Sequence, residues 1–366
     1  MAIRTVNPEG VWFAPGRVNL IGGPDYNEVF VLPFALGAGV TAAAARRADR
    51  RIALVSRQAR DEKVLLDIDA LEPGSVSGWA AYPAGVAWAL RQAGLLAGGA
   101  EVAIDADLPA GAGLSSSAAL ECAVALALTE LYQVRVPRNE LAALARRAEN
   151  EFVGVPTGIM DQIAALLCRA GQALLLDCRD ETSTPVPLDP AAAGLTLQVI
   201  DTRARRTLSD GRYAQRRQAC EQAAAALGVR SLRDATDTEK LSDPALRRIS
   251  EHVVTENQRV LRAAELLRAG DHQAIGPLLT ESHRSFRDKF GVSWPQADEA
   301  VDAAVGAGAA GARMTGGGFG GCVIVLAPAE RAPHVRAAVT GRFTRNHWPA
   351  PRYLDAVPSD GARRLR

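Results

Sequence analysis

The stretch Leu108-Pro109-Ala110-Gly111-Ala112-Gly113-Leu114-Ser115-Ser116-Ser117-Ala118-Ala119-Leu120-Glu121 constrains this chain more than any other. Before it, Glu101 to Leu108 alternates polar and apolar residues at period two, which predicts a half-buried strand. After it, Ser117 to Tyr132 lacks Gly and Pro and is mostly Ala, Leu and Glu, which predicts a buried helix. A strand that feeds a glycine and serine loop and then a helix points unpaired N–H groups at an anion, and the missing Cβ atoms let a phosphate approach. The stretch reads as an anion site. Its plainer alternative is a serine-rich helix cap without a ligand.

A Walker P-loop would end in Gly-Lys-Ser/Thr, and no lysine stands here. The chain's lysines are Lys63, Lys240 and Lys289 alone. Phosphate charge must therefore be met by the helix dipole, by arginine and by a metal ion. Three successive hydroxyls suit Mg²⁺, which takes hard oxygen ligands and keeps several waters.

Two acids further along call for an explanation. Asn139 is expected to cap a helix over 140–152 whose apolar stripe is Leu141, Leu144, Ala145, Ala148 and Phe152. On that spacing Glu149 falls on the core side, where an unpartnered carboxylate is costly. Arg146 and Arg147 point to other faces. Asp161 sits by helical spacing among Ala164, Ala165 and Cys168, near a helix start where the dipole by itself could explain an acid.

The remaining composition mostly excludes. At 366 residues the chain has room for two domains, and a net charge of +1 with interspersed signs offers no field for nucleic acid or an anionic membrane. No apolar run reaches bilayer length and Met1 to Arg4 lacks a leader's apolar segment, so a cytoplasmic location is expected. Five scattered cysteines read as reduced, buried small hydrophobes without a zinc pattern. His283 has no partner at metal-binding spacing and reads as structural. The basic end Arg363-Arg364-Leu365-Arg366 reads as a frayed tail. A seam is expected in 182–194, dividing units 1–190 and 191–366. Strands are expected at 11–14, at 17–22 with Arg17 and Asn19 exposed, at 30–33 and at 39–44. Gly316-x-Gly318-x-x-Gly321 satisfies a dinucleotide fingerprint by letters, but a helix is expected before it and a strand after it, the wrong order for a Rossmann turn.

Pro109-x-Gly111-x-Gly113-Leu114-Ser115-Ser116-Ser117-Ala118 resembles the ATP-phosphate motif of the GHMP small-molecule kinases, and more narrowly of the galactokinase family. Ala14-Pro15-Gly16-Arg17-Val18-Asn19-Leu20-Ile21-Gly22 and Gly316-Gly317-Gly318-Phe319-Gly320-Gly321-Cys322 resemble the family's other two motifs, in family order. The resemblance implies an α+β fold of two domains, with mixed or antiparallel sheets, helices and an active site in the interdomain cleft. It implies ATP as co-substrate, Mg²⁺, and a small-molecule sugar as the other partner, in a monomer or weak oligomer.

Carried over by resemblance, Asp161 is the base that takes the sugar proton, and Arg17 contacts the sugar and offsets charge on the transferring phosphoryl group. Ser117 and Glu149 hold Mg²⁺. Pro109, Gly111, Ala112, Gly113, Leu114, Ser115, Ser116 and Ser117 surround the ATP phosphates, with Trp79 near the adenine. Asp25, Gly158 and Tyr213 join Arg17 and Asp161 around the sugar. The chain departs from the family at one place. Galactokinases generally read Gly-Glu-His-Thr-Asp-Tyr-Asn where this chain reads Gly22-Gly23-Pro24-Asp25-Tyr26-Asn27, one residue shorter and without the Glu-His pair. The implied activity is phosphorylation of a monosaccharide at its anomeric hydroxyl, with galactose the leading substrate. The alternatives are a kinase of another sugar, arabinokinase-like or acting on a modified hexose, and a sugar-and-ATP-binding regulator without activity.

Overall fold

The computed structural model describes residues 7–60, 62–109, 111–204 and 211–366. Its first sheet begins with β1 (Gly10–Gly22), which continues through Pro15-Gly16 where two strands were expected. The sheet tolerates the proline because β1's outer neighbour reaches only Trp12 and Phe13, so no ladder bond is missed at Pro15. A bulge between Pro15 and Arg17 absorbs the irregularity. The next strand, β2 (Phe30–Arg47), is likewise one 18-residue strand rather than two. It passes over Gly39, where a Cβ would stand 2.2 Å from the Ala14 carbonyl oxygen.

β3 (Arg51–Ser56) and β4 (Lys63–Asp67) follow. A short 3₁₀ turn, Gly78–Ala80, then opens α1 (Ala81–Gln92), and β5 (Gly99–Ala106) pairs between β2 and β3. The β3–β5 pairing is parallel and its neighbours are antiparallel, so the sheet is mixed. α2 (Ser116–Leu131) lies across β1 and β2 and buries nearly its whole length of alanine and leucine. α3 (Arg138–Arg147) has Pro137 rather than Asn139 in the capping position. Proline supplies the extended φ there, and Asn139 falls inside the first turn. The helix then widens into a π turn, Ala148–Val153, which carries Glu149. α4 (Met160–Leu167), β6 (Gln172–Asp177) and β7 (Ser183–Pro187) complete this part. Residues 183–187 were expected to be seam. They form an edge strand paired with β6, a position that tolerates Pro185 and Pro187.

The second sheet is antiparallel, ordered β11-β8-β10-β9. It comprises β8 (Leu195–Asp201), β9 (Gly311–Thr315), β10 (Cys322–Pro328) and β11 (Arg352–Asp355). Between β8 and β9 run α5 (Arg212–Leu227), α6 (Pro244–Arg268), α7 (Ile275–Ser285) with a wide turn Phe286–Phe290, and α8 (Pro295–Gly306). α9 (Ala332–Arg345) precedes β11. Ser209-Asp210, residue types that favour a cap at the start of α5, lie outside the described residues. The glycine segment 316–321 follows β9 directly rather than a helix, so it is the turn of a β-hairpin.

The last residues correct the frayed-tail expectation. β12 (Arg363–Arg364) adds to the edge of β1, Leu365 N–H donates to the Val11 carbonyl at 2.7 Å, and Val11 N–H donates to Arg366 at 3.0 Å. The Arg364 guanidinium lies 5.1 Å over the Trp12 ring, so apolar stacking and ladder bonds together order a charged segment. The cysteines are free, all but Cys178 buried. His283 is buried and accepts from Met314 N–H at 3.2 Å, a structural role. Among the described residues no helix is long and apolar enough to cross a membrane.

Candidate active site

Three segments far apart in sequence meet around Arg17. Gly16 lies so close to the loop before α2 that a Cβ would stand 2.7 Å from the Leu114 carbonyl oxygen. Arg17 N–H donates to that same carbonyl at 3.2 Å, and its Nη1 donates to the Gly113 carbonyl at 2.9 Å. From the other side, a Cβ on Gly321 would meet the Ala112 carbonyl oxygen at 3.1 Å, and one on Gly316 the Gly113 carbonyl oxygen at 3.2 Å. The β9–β10 turn thus closes onto the loop before α2, and small residues at both surfaces allow it. Arg17 and Asn19 were expected on an exposed face and are 5% and 4% exposed. The loop covers the first. The second bridges the Gly22 carbonyl and Leu32 N–H, both at 3.3 Å, where the β1–β2 ladder is irregular.

Asp161 enters from the first turn of α4. Its Oδ1 accepts from Arg17 Nε at 2.7 Å, and its Oδ2 from the Ser115 hydroxyl at 2.5 Å. The Arg17 side chain is 7% exposed and that of Asp161 24%, so the pair is desolvated on one side and open on the other. Ser115 stands at φ 58°, a left-handed conformation that costs a serine energy; it turns the hydroxyl to Asp161 at the mouth of α2. Sequence reasoning placed Ser115 at the phosphates and missed this contact, for which local spacing gives no signal.

Glu149 is 4% exposed. It accepts from Thr157 Oγ1 at 3.1 Å and Gln162 Nε2 at 2.9 Å, and hydrogen-bonds the Ser117 hydroxyl. Burial, with the nearby Asp161 charge, pushes its carboxyl up to about 7. Arg146 and Arg147 pair instead with Glu181 and Glu151. Gln162 also reaches Glu121 at 3.3 Å, and the other Glu121 oxygen has no hydrogen-bond partner although the residue is fully buried. Burial first, then Glu149, pushes Glu121 well above the usual carboxylate range. Glu121, Thr157 and Gln162 were missed from sequence. The signal for Glu121 was its place four residues after Ser117, as the one charged residue in the otherwise apolar run Ala118 to Leu128.

On the opposite side of Asp161 stands the short loop after β1. Asp25 begins a 3₁₀ turn, Asp25–Asn27, and accepts from Met160 N–H at 3.3 Å. Burial, then the Asp161 charge, pushes Asp25 up to about 6. Gly158 backs onto it. Tyr26 meets Tyr213 edge to face, with ring centroids 5.5 Å apart, so α5 covers this end. Ser116 is exposed, Ala112 and Leu114 are buried, and Pro109 and Gly113 are intermediate along the same loop, with Gly111 at its exposed tip. Trp79 lies half-buried against the core on the turn before α1.

With this geometry in hand, similarity to known proteins becomes specific. Residues 4–46 match the galactokinase galactose-binding signature, 81–169 the GHMP kinases N-terminal domain, and 263–345 the GHMP kinases C-terminal domain. The chain is 50% identical to a galactokinase of Streptomyces coelicolor, over 98% of this chain and 95% of that one. It belongs to the galactokinase family. A galactokinase of Mycobacterium tuberculosis is 47% identical over 90% of this chain and 93% of its own. Among solved structures, Lactococcus lactis galactokinase complexed with galactose superposes with a TM-score of 0.93 at 31% identity, over 97% of this chain and 95% of that chain. The family's two-domain α+β GHMP kinase fold is therefore this chain's fold, with a mixed sheet of β1 to β7 and β12 and an antiparallel sheet of β8 to β11.

Proposed function

We propose that this galactokinase-family chain transfers the γ-phosphoryl group of ATP to the anomeric hydroxyl of galactose, giving galactose 1-phosphate and ADP. The observation that carries the reading is the contact of Asp161 with both Arg17 and Ser115 at the mouth of the phosphate loop. One acid there touches a cation from the first motif and a hydroxyl from the second, with Asp25 and Gly158 on its other side.

The roles follow from the contacts. Asp161 accepts the proton of the attacking sugar hydroxyl, which needs an ionised carboxylate within hydrogen-bond reach of that oxygen. Arg17, already bound to the loop carbonyls of Gly113 and Leu114, presents its guanidinium where charge builds on the transferring group. The α2 N-terminus and residues Gly111 to Ser117 receive the phosphates, with Pro109 shaping the entry to the loop and Trp79 on the adenine side. Asp25, Gly158 and Tyr213 hold the sugar. Little covalent chemistry is asked of the protein, and positioning supplies most of the acceleration. The units 1–190 and 191–366 form the two walls of the cleft, the second unit's last residues returning to β1.

The Ser117 hydroxyl and the Glu149 carboxylate fit a magnesium ion. Both are hard oxygen donors, and Glu149 is a desolvated acid whose ion-pair candidates, Arg146 and Arg147, point elsewhere. Among the described residues no cluster of three or more His, Cys, Asp and Glu could hold a metal unaided. Mg²⁺ takes one or two carboxylates together with substrate phosphates, so a single protein carboxylate beside a hydroxyl suffices. When bound it neutralises charge on the β- and γ-phosphates.

ADP release measured against a panel of sugars tests the assignment. Galactose is expected to turn over far better than arabinose or glucose. Robust turnover of another sugar, with none for galactose, would overturn it.

A further inference from the structure

The segment 23–29, which carries Asp25 and Tyr26, is held at both ends by two consecutive residues of one distant helix. Gly22, the last residue of β1, donates its N–H to Glu256 Oε1 at 3.2 Å. Phe30, the first residue of β2, donates its N–H to Asn257 Oδ1 at 2.8 Å. Both acceptors stand on α6, more than two hundred residues away along the chain. The sheet itself does not fix these ends well, because the β1–β2 register shifts between Asn19 and Gly22.

Glu256 is equipped for such a task. It is 1% exposed, its Oε1 also accepts from the Ser282 hydroxyl at 2.5 Å, and its Oε2 pairs with Arg259 at 2.8 Å. Arg313, equally buried, donates to the Gly22 carbonyl at 3.2 Å, so both polar groups of that glycine are gripped from the second half of the chain. A buried acid paired with cations keeps a fixed position, since moving it would strand charge out of water.

We infer that Glu256 and Asn257 are positioning residues for the sugar subsite, acting through Gly22 and Phe30 to set where Asp25 stands. The inference rests on the galactose reading and adds that the reach of the sugar loop is set by α6 rather than by the hairpin alone. Asn257 carries the test, because its Oδ1 accepts from Phe30 N–H, whereas Glu256 also pairs with Arg259. Glu256→Ala would also deprive Arg259 and Arg313 of their anion.

Steady-state kinetics with galactose and ATP varied separately, alongside thermal unfolding, decide the matter. Asn257→Ala is expected to raise KM for galactose about tenfold while KM for ATP stays within about twofold and the melting temperature barely moves. Asn257→Asp keeps the acceptor and is expected to stay near the parent value. An unchanged galactose KM in Asn257→Ala overturns the inference. So does a rise in both KM values together with a lowered melting temperature, which is what a purely structural role would give. A parent enzyme that does not turn over galactose overturns the substrate assignment along with it, whereas active parent enzyme with an unmoved Asn257→Ala overturns this inference alone.

Discussion

A Cβ placed on Gly158 would lie 2.0 Å from the carboxyl carbon of Asp25. The two residues stand on opposite sides of the sequence gap that separates β1 from α4, and only hydrogen fits between them. Gly158→Ala must displace Asp25 or the turn before α4. Overpacking of this kind is worth roughly 1–3 kcal/mol, so galactose affinity is expected to weaken by about 5- to 150-fold. Calorimetry with galactose checks it, and an alanine variant that binds the sugar normally would mean that Asp25 is not a contact.

Asp161 and Arg17 should separate in kinetics from the binding residues. Asp161→Asn keeps the shape and loses the proton acceptor, so kcat is expected to fall by about 10²- to 10⁴-fold with sugar binding largely retained. Arg17→Lys keeps the charge but cannot hold Asp161 and the Gly113 carbonyl together, and kcat should fall as well. Single-turnover measurements distinguish these losses from slower product release.

Glu149→Gln is expected to trade function for stability. Its carboxyl is pushed up to about 7 by burial and by Asp161, so the ionised form strains the free protein. The amide should leave the melting temperature of the metal-free protein unchanged or higher. At the same time the Mg²⁺ concentration needed for half-maximal activity should rise, as it should for Ser117→Ala. A lowered melting temperature with normal Mg²⁺ dependence would argue for a structural role.

Asp25 gives a pH signature. Its folded value of about 6 lies above its ordinary 3.8, so the native state binds this proton more tightly than the unfolded chain does. Its contribution to stability is therefore full below about pH 4 and lost as pH rises through about 6. Sugar binding should run the other way. An ionised Asp25 accepts two hydroxyl hydrogen bonds, so galactose affinity is expected to increase through about pH 6, and Asp25→Asn should flatten that profile.

Removing residues 363–366 takes away the outer neighbour of β1. The ladder bonds at Val11 and the Arg364 stacking on Trp12 go with it, at about 0.5–1.5 kcal/mol for each hydrogen bond. The expected outcome is a lower melting temperature with little change in KM for either substrate, read by thermal unfolding beside steady-state assays.

What was legible in the sequence was local. The glycine and serine loop between strand and helix, α2, the core-side placement of Glu149 and the apolar strands follow from spacing and composition within a dozen residues, and the structure has them. The errors arise where a distant neighbour overrules the local pattern. Pro15-Gly16 and the glycines of β2 look like strand ends, yet pairing partners carry both strands through. Arg17 and Asn19 alternate as a solvated face would, but the loop before α2 covers the first and the second is taken up bridging Gly22 and Leu32. The basic tail looks frayed until Trp12 and Val11 are brought to it. The Ser115 to Asp161 contact and the α6 anchors join residues 46 and more than 200 positions apart, beyond the range of any periodicity.

The closure of β1 by β12 bears on how the molecule is made. The strand bearing Arg17 meets its outer neighbour only once residues 363–366 have been made, and Gly22 waits on Glu256 and Arg313. Domains emerging from synthesis generally fold from the N-terminus forward. Here β1 is completed only by residues made much later, so a nascent chain stalled before residue 363 would hold Arg17 on an unfinished strand with a bare edge open to neighbours.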